Sequence, residues 1–265
     1  MASFRGRALH LAQGFYGGSV LLGAGFILFA VPHMLDAFGW RGAFLGCAVI
    51  AAGACLYGLL GAPHPEAVGA PPAQFTRMLA HSELWFLGVV QMASFGLAIV
   101  VGTWITTLLR NTLDMSLKSA GLLGSLVLLL GILTRPLGGW LAERIDLLGL
   151  LLPALLLNAA ACVTLALSRS FWLTFAAIAA LALGCGVPYA GCFNRAAALF
   201  PGRAGAAMGL VNMIGIFMIL AGAPAIGWLA DATGSFRSSF VALAAFAIMA
   251  GLSIPFLQSK NSTEL

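Results

Sequence analysis

Long apolar stretches, interrupted by small residues and isolated polar groups, alternate with short polar segments along the 265 residues. A helix needs about 20 mostly apolar residues to cross a bilayer. Eight stretches meet that length: 9–31, 42–62, 84–109, 117–141, 147–167, 171–193, 204–230 and 238–257. Pro63, Pro65, Pro71 and Pro72 break the pattern, so 63–83 reads as a linker between two bundles, and 258–265 as a polar tail. Gly and Pro inside the stretches are tolerated in lipid, and small residues let helices approach closely.

The helices repeat. Gly6-Arg7-Ala8 returns 196 positions later as Gly202-Arg203-Ala204, and Trp40-Arg41-Gly42-Ala43-Phe44 returns at the same spacing as Phe236-Arg237-Ser238-Ser239-Phe240. The first 62 residues therefore resemble the last 60, and the remainder of that first copy would fall before Met1. Such self-similarity signals a duplicated architecture. A second spacing is nested within it: Gly139-Trp140-Leu141-Ala142-Glu143 closes the fourth stretch and Gly227-Trp228-Leu229-Ala230-Asp231 the seventh, 88 positions on. Helices three apart run in opposite directions. The spacing predicts two inverted triplets forming a six-helix bundle over 84–257, with 9–62 a helix pair packed against it.

Composition places this all-α chain in the bilayer. It is 61% hydrophobic and 8% charged, against about 25% charged in soluble domains. The net charge of +5 does not point to nucleic acid, because the basic residues are scattered singly at helix ends and form no patch. The first apolar run is too long for a cleaved signal. Eight basic residues fall on one side (Arg5, Arg7, Arg77, Arg135, Arg144, Arg195, Arg203, Lys260) and five on the other (Arg41, Arg110, Lys118, Arg169, Arg237). That bias predicts both termini in the cytoplasm. Cys47, Cys55, Cys162, Cys185 and Cys192 lie in apolar runs without metal-ligand spacing and read as packing residues. No metal and no cofactor is expected.

The run Arg135-Pro136-Leu137-Gly138-Gly139-Trp140-Leu141-Ala142-Glu143-Arg144 resembles the loop motif G-x-L-a-D-r of the major facilitator superfamily of secondary transporters. It matches at Gly139, Leu141, Ala142, Glu143 and Arg144, with Glu for Asp and with Ile145-Asp146-Leu147 where a Gly and a basic run are usual. Gly39-Trp40-Arg41 with Phe44 resembles the start of the family's sixth helix, and Phe200-Pro201-Gly202-Arg203-Ala204-Gly205 the entry to its eleventh. The resemblance implies a twelve-helix fold in two halves, of which this chain carries helices five to twelve. On that template 1–62 are the last two helices of the N-terminal half, 63–83 the central cytoplasmic linker, 84–257 the complete C-terminal half and 258–265 a cytoplasmic tail. It implies secondary active transport of a small solute by alternating access, in a form lacking four helices and inactive alone. The rival is a non-transporting scaffold or remnant. Arg135–Leu141 is similar to the branch carrying nitrate, nitrite or cyanate-like anions, which puts a small anion among the candidate substrates. The glycine-and-asparagine signatures of the nitrate carriers are not evident.

The resemblance makes Arg135, Gly139, Glu143 and Arg144 a conformational latch, in which Glu143 meets the N-terminus of helix 9–31 near Arg5 and Arg7, where unpaired N–H groups attract a carboxylate. The alternative is an exposed charged loop. Arg135, one turn inside its helix, is expected to snorkel to the cytoplasmic face or pair with Glu143; a role in binding an anion is the other reading. The candidate substrate contacts are Gln13, Tyr16, Gln91, Phe95, Thr103, Tyr189, Asn194 and Asn212, set against plain interhelical hydrogen bonding. No Asp or Glu lies mid-helix, where proton relays usually place one. His10, His33, His64 and His81 lie at membrane edges or in loops, so no buried Ser–His pair or zinc site is expected and an enzyme is not. The partners expected are a small solute and the bilayer; oligomeric state is open.

Overall fold

The computed structural model describes residues 7–61 and 73–254. The Pro-rich part of the linker, Arg5 and the tail 258–265 lie outside the described residues. Arg7–Gly61 is helical except at Gly39 (φ 67, ψ 178), which divides it into α1 (7–38) and α2 (40–61). A short α3, Ala73–Ala80, follows. Then come α4 (Ser82–Leu113), α5 (Leu117–Leu141), α6 (Leu147–Leu167), α7 (Phe171–Leu199), α8 (Pro201–Thr233) and α9 (Phe236–Ser253). Those six and Ala37–Leu60 are, among the described residues, the seven stretches long and apolar enough to cross a membrane. The expected helix 9–31 lies within α1.

Helix ends carry local chemistry. Ser116, Asp146 and Ser235 precede α5, α6 and α9, and each side chain accepts a hydrogen bond from a first-turn N–H, satisfying a donor that the helix leaves open. The α1–α2 break and the α8–α9 turn both use a glycine at φ 67, Gly39 and Gly234. Glycine adopts a positive φ without a steric cost, but the two turns differ in ψ, 178° at Gly39 and 13° at Gly234.

Several helices run further than the hydrophobic pattern predicts, α7 and α4 among them. α7 continues to Leu199 because its polar end is partnered: Arg195 Nε donates to Glu83 Oε1 at 2.5 Å, and Asn194 meets His10. α4 runs to Leu113, carrying Arg110 and Asn111 to its exposed end. Two π-helical turns, Met92–Gly96 in α4 and Met218–Gly222 in α8, pack together; a Cβ on Gly96 would lie 2.7 Å from that of Met218. In the first, Leu97 N–H bonds Met92 O, and Ala93 O receives the Asn158 side-chain amide from α6 at 3.0 Å. The core fills α4–α9 around Leu97, Ile105, Leu155, Ile178 and Phe240. α1 lies on the face of this bundle made by α5 and α7, while α2 stands largely uncovered by protein.

Candidate functional site

The glycines Gly14, Gly17 and Gly18 put α1 almost in backbone contact with its neighbours. A Cβ on Gly14 would lie 2.7 Å from Arg135 O, and one on Gly18 3.1 Å from Ile132 O. One on Gly17 would fall 2.3 Å from a ring carbon of Tyr189. On the facing helices Gly131 receives Leu21, and Gly139 lies against the backbone of His10. Gly138 of α5 similarly meets the backbone of Val187 in α7. Three helices thus converge at one level, where a side chain from each is confined.

Arg135 occupies that level. It is 2% exposed, and its Nη1 donates to Gly17 O at 2.5 Å. Its guanidinium lies 4.1 Å from the ring centre of Tyr189 and 5.3 Å from that of Phe95. Nε has no hydrogen-bond partner. Among the described residues the ion pair is Arg195–Glu83, and no carboxylate lies within pairing distance of Arg135. Arg135 therefore neither snorkels to the helix end nor pairs with Glu143. It sits about 9 Å up the axis from the end of α5, held there by stacking on two aromatic faces, which attract a desolvated cation. The cavity beside it, between Leu21, Phe95, Gly131 and Gly186, has a volume of about 10 Å³, room for roughly one water-sized group.

The other candidates separate into two sets. Gln13 (1% exposed) lies against Tyr189, with its Oε1 unpartnered, and joins Arg135, Phe95 and Tyr189. Gln91, one helical turn before Phe95, is equally buried, with neither amide atom partnered, and packs on Gly215 of α8. Asn194, nearer the end of α7, has its Nδ2 2.7 Å from His10 Nδ1. Tyr16 faces outward at 59% exposure, and Thr103 is exposed with its hydroxyl donating to Ile99 O. Asn212 is half-buried on α8. In the motif loop Arg144 stacks 3.7 Å over Trp140, and half-buried Glu143 has an Oε1 without a partner. The Arg5 side of the expected latch lies outside the described residues, as does the side chain of Arg7. His10 and the three glycines of α1 were not among the sequence candidates. The Gly14-x-x-Gly17-Gly18 spacing was the available signal for close packing.

An apolar helical bundle with seven stretches long enough to span a bilayer among the described residues is the architecture of a polytopic membrane protein. The family model of the Major Facilitator Superfamily matches residues 1–168 and, overlapping, 84–264. The chain belongs to that superfamily of membrane transporters and is an integral membrane protein. It is 24% identical over 254 residues to the "Probable nitrate transporter NarT" of Staphylococcus haemolyticus, covering 95% of this chain and 66% of that one. It is also 24% identical over 241 residues to the "Nitrite extrusion protein" of Bacillus subtilis, covering 90% and 60%. The chain thus spans less than two thirds of the length of these relatives. In fold it resembles the fucose:proton symporter FucP of Escherichia coli, with TM-score 0.60 at 16% identity over 85% of this chain and 58% of that one. A bacterial homolog of the lysosomal transporter Spinster, in an inward-facing, occupied conformation, gives TM-score 0.59 at 17% identity over 94% and 66%.

Proposed function

We propose that this chain forms part of a carrier for a small planar oxyanion of the nitrate or nitrite class, with Arg135 as the cation that holds it. The observation that carries this reading is the burial of Arg135 without a carboxylate. A buried charge left uncompensated is strongly destabilising, and an anionic ligand removes that penalty. The guanidinium is planar and offers paired N–H donors to paired oxygens, and Nε, the donor without a partner, is free to bind one. The cavity beside Arg135 has room for about one water-sized group, so an oxyanion would reach the guanidinium when α1 and the two rings move apart, as alternating access requires. The relatives named as nitrate and nitrite carriers favour the same class.

Transport would follow by alternating access, with 84–257 as one half of the carrier and α1–α2 as part of the other, moving about the level of Arg135. Both termini would face the cytoplasm of a bacterial inner membrane. Gln91 would contribute a hydrogen-bond donor, Gln13 would hold Tyr189, and Glu143 would supply the latch on the cytoplasmic side.

Binding tests the reading directly. Nitrate or nitrite at millimolar concentration should raise the melting temperature of the purified chain more than chloride or sulfate at matched ionic strength. Arg135→Gln should abolish the difference. Equal responses to all four anions, or an unchanged nitrate response in the variant, overturn it.

A further inference from the structure

At the end of the bundle distal to Arg7, the ends of α4, α6 and α8 and the start of α9 enclose a crevice of about 520 Å³. That volume is within the usual range of small-ligand sites, about 300–1,000 Å³. Its floor is apolar, with Leu108 and Ala166 both buried. Its rim carries Arg169, Arg237, Asp231 and Asn111. Among the described residues neither guanidinium is within ion-pairing distance of a carboxylate. Three helices, α4, α6 and α8, finish at the crevice and one, α9, begins, so negative helix ends predominate there and the two arginines are the positive groups that face a ligand.

The crevice lies at headgroup depth. Phe171 and Trp172 follow Arg169 at the start of α7, with their rings 5.3 Å apart and Trp172 75% exposed. Tryptophan at a spanning-helix end marks the membrane–water interface. A ligand entering from the bilayer therefore brings its polar head to the level of the two guanidinium groups. Arginine pairs suit phosphate oxygens, and the Asp231 carboxylate accepts a hydrogen bond from a hydroxyl or ammonium.

We propose that this crevice binds the headgroup of a phospholipid, with the phosphodiester between Arg169 and Arg237 and a donor-bearing terminus against Asp231. The crevice shares no lining residue with the cavity beside Arg135, and it does not depend on the anion carried. 

Its occupancy is read by binding, so it stands or falls separately from the transport reading.

Native mass spectrometry of the detergent-purified chain tests it. With phosphatidylglycerol and phosphatidylcholine at equal concentration, a retained phosphatidylglycerol adduct is expected. Arg169→Gln and Arg237→Gln should each weaken it about tenfold or more, the scale of a lost charge-assisted hydrogen bond. Arg41→Gln, at the same end of the bundle but stacked on Trp40 at 5.3 Å, should leave it unchanged. An unaltered melting temperature keeps a binding loss distinct from misfolding. Equal retention of both lipids, or loss in the Arg41 variant as large as in the others, overturns the proposal. So does saturable binding of glycerol 3-phosphate to lipid-free protein, which would assign the crevice to a soluble phosphoester.

Discussion

The guanidinium of Arg135 lies 4.1 Å from the ring centre of Tyr189, and Gly17 of α1 packs on the opposite helix surface against that same ring. A cation from α5, a ring from α7 and a bare stretch of α1 backbone are thereby interlocked. Arg135 donates to Gly17 O, so displacing α1 exposes the cation and removes one of its acceptors together.

Arg135→Lys should keep the charge and still lose most of the anion-dependent stabilisation. Lysine is a compact point charge without the planar fork or the stacking surface. A nitrate affinity at least about tenfold weaker than wild type is expected from the loss of a charged hydrogen bond, measured by thermal shift titration. Undiminished affinity in the lysine variant would remove geometry from the account.

Gly17→Ala should destabilise the α1 contact, because its Cβ would lie 2.3 Å from a Tyr189 ring carbon. Overpacking of this kind costs about 1–3 kcal/mol. Gly23→Ala is the control: a Cβ there meets nothing within 4 Å, and alanine is favoured over glycine in a helix by up to about 1 kcal/mol. Melting curves of the two variants should move in opposite directions or by clearly different amounts.

His10 and Asn194 join the start of α1 to the end of α7 at 2.7 Å. A double-mutant cycle with His10→Ala and Asn194→Ala should give a coupling energy of about 0.5 kcal/mol or more, as expected for residues in direct contact. A coupling near zero would mean that the contact contributes nothing to holding α1.

Asn158 is fully buried, and its amide serves Ala93 O beside the π turn of α4. Asn158→Leu should cost about 1–3 kcal/mol by leaving a buried carbonyl without its donor. Denaturation in detergent reads this directly, and a neutral effect would show that the turn satisfies its own carbonyls.

Expressed alone, the chain should insert and fail to carry anions. The site is walled by α1, α4, α5 and α7, whereas alternating access needs two halves rocking about a shared centre. Uptake of labelled nitrate into liposomes above the empty control would overturn this and favour an oligomeric carrier. In the same preparation, a cysteine pair at positions 7 and 143 should cross-link if Glu143 latches the start of α1; absence of a cross-link under every condition counts against the latch.

Spanning helices were legible in the sequence because their cause is local. Backbone groups in lipid must bond within their own segment, so an apolar run of sufficient length becomes a helix wherever it lies. The limits of α5 and α6 coincide with the polar punctuation at Ser116 and Asp146. The repeat marks were visible for a similar reason, because they sit at helix ends that the sequence itself punctuates. What decides the site is not local. Arg135 read as a cytoplasmic-edge residue because its distance from the helix end was visible, while the faces of Tyr189 and Phe95, from two other helices, were not. The extension of α7 past Asn194 and Arg195 likewise depends on His10 and Glu83, more than a hundred positions away. Whether a polar group in lipid is a cost, a contact or a ligand depends on what faces it across a helix interface, and only the tertiary structure supplies that partner.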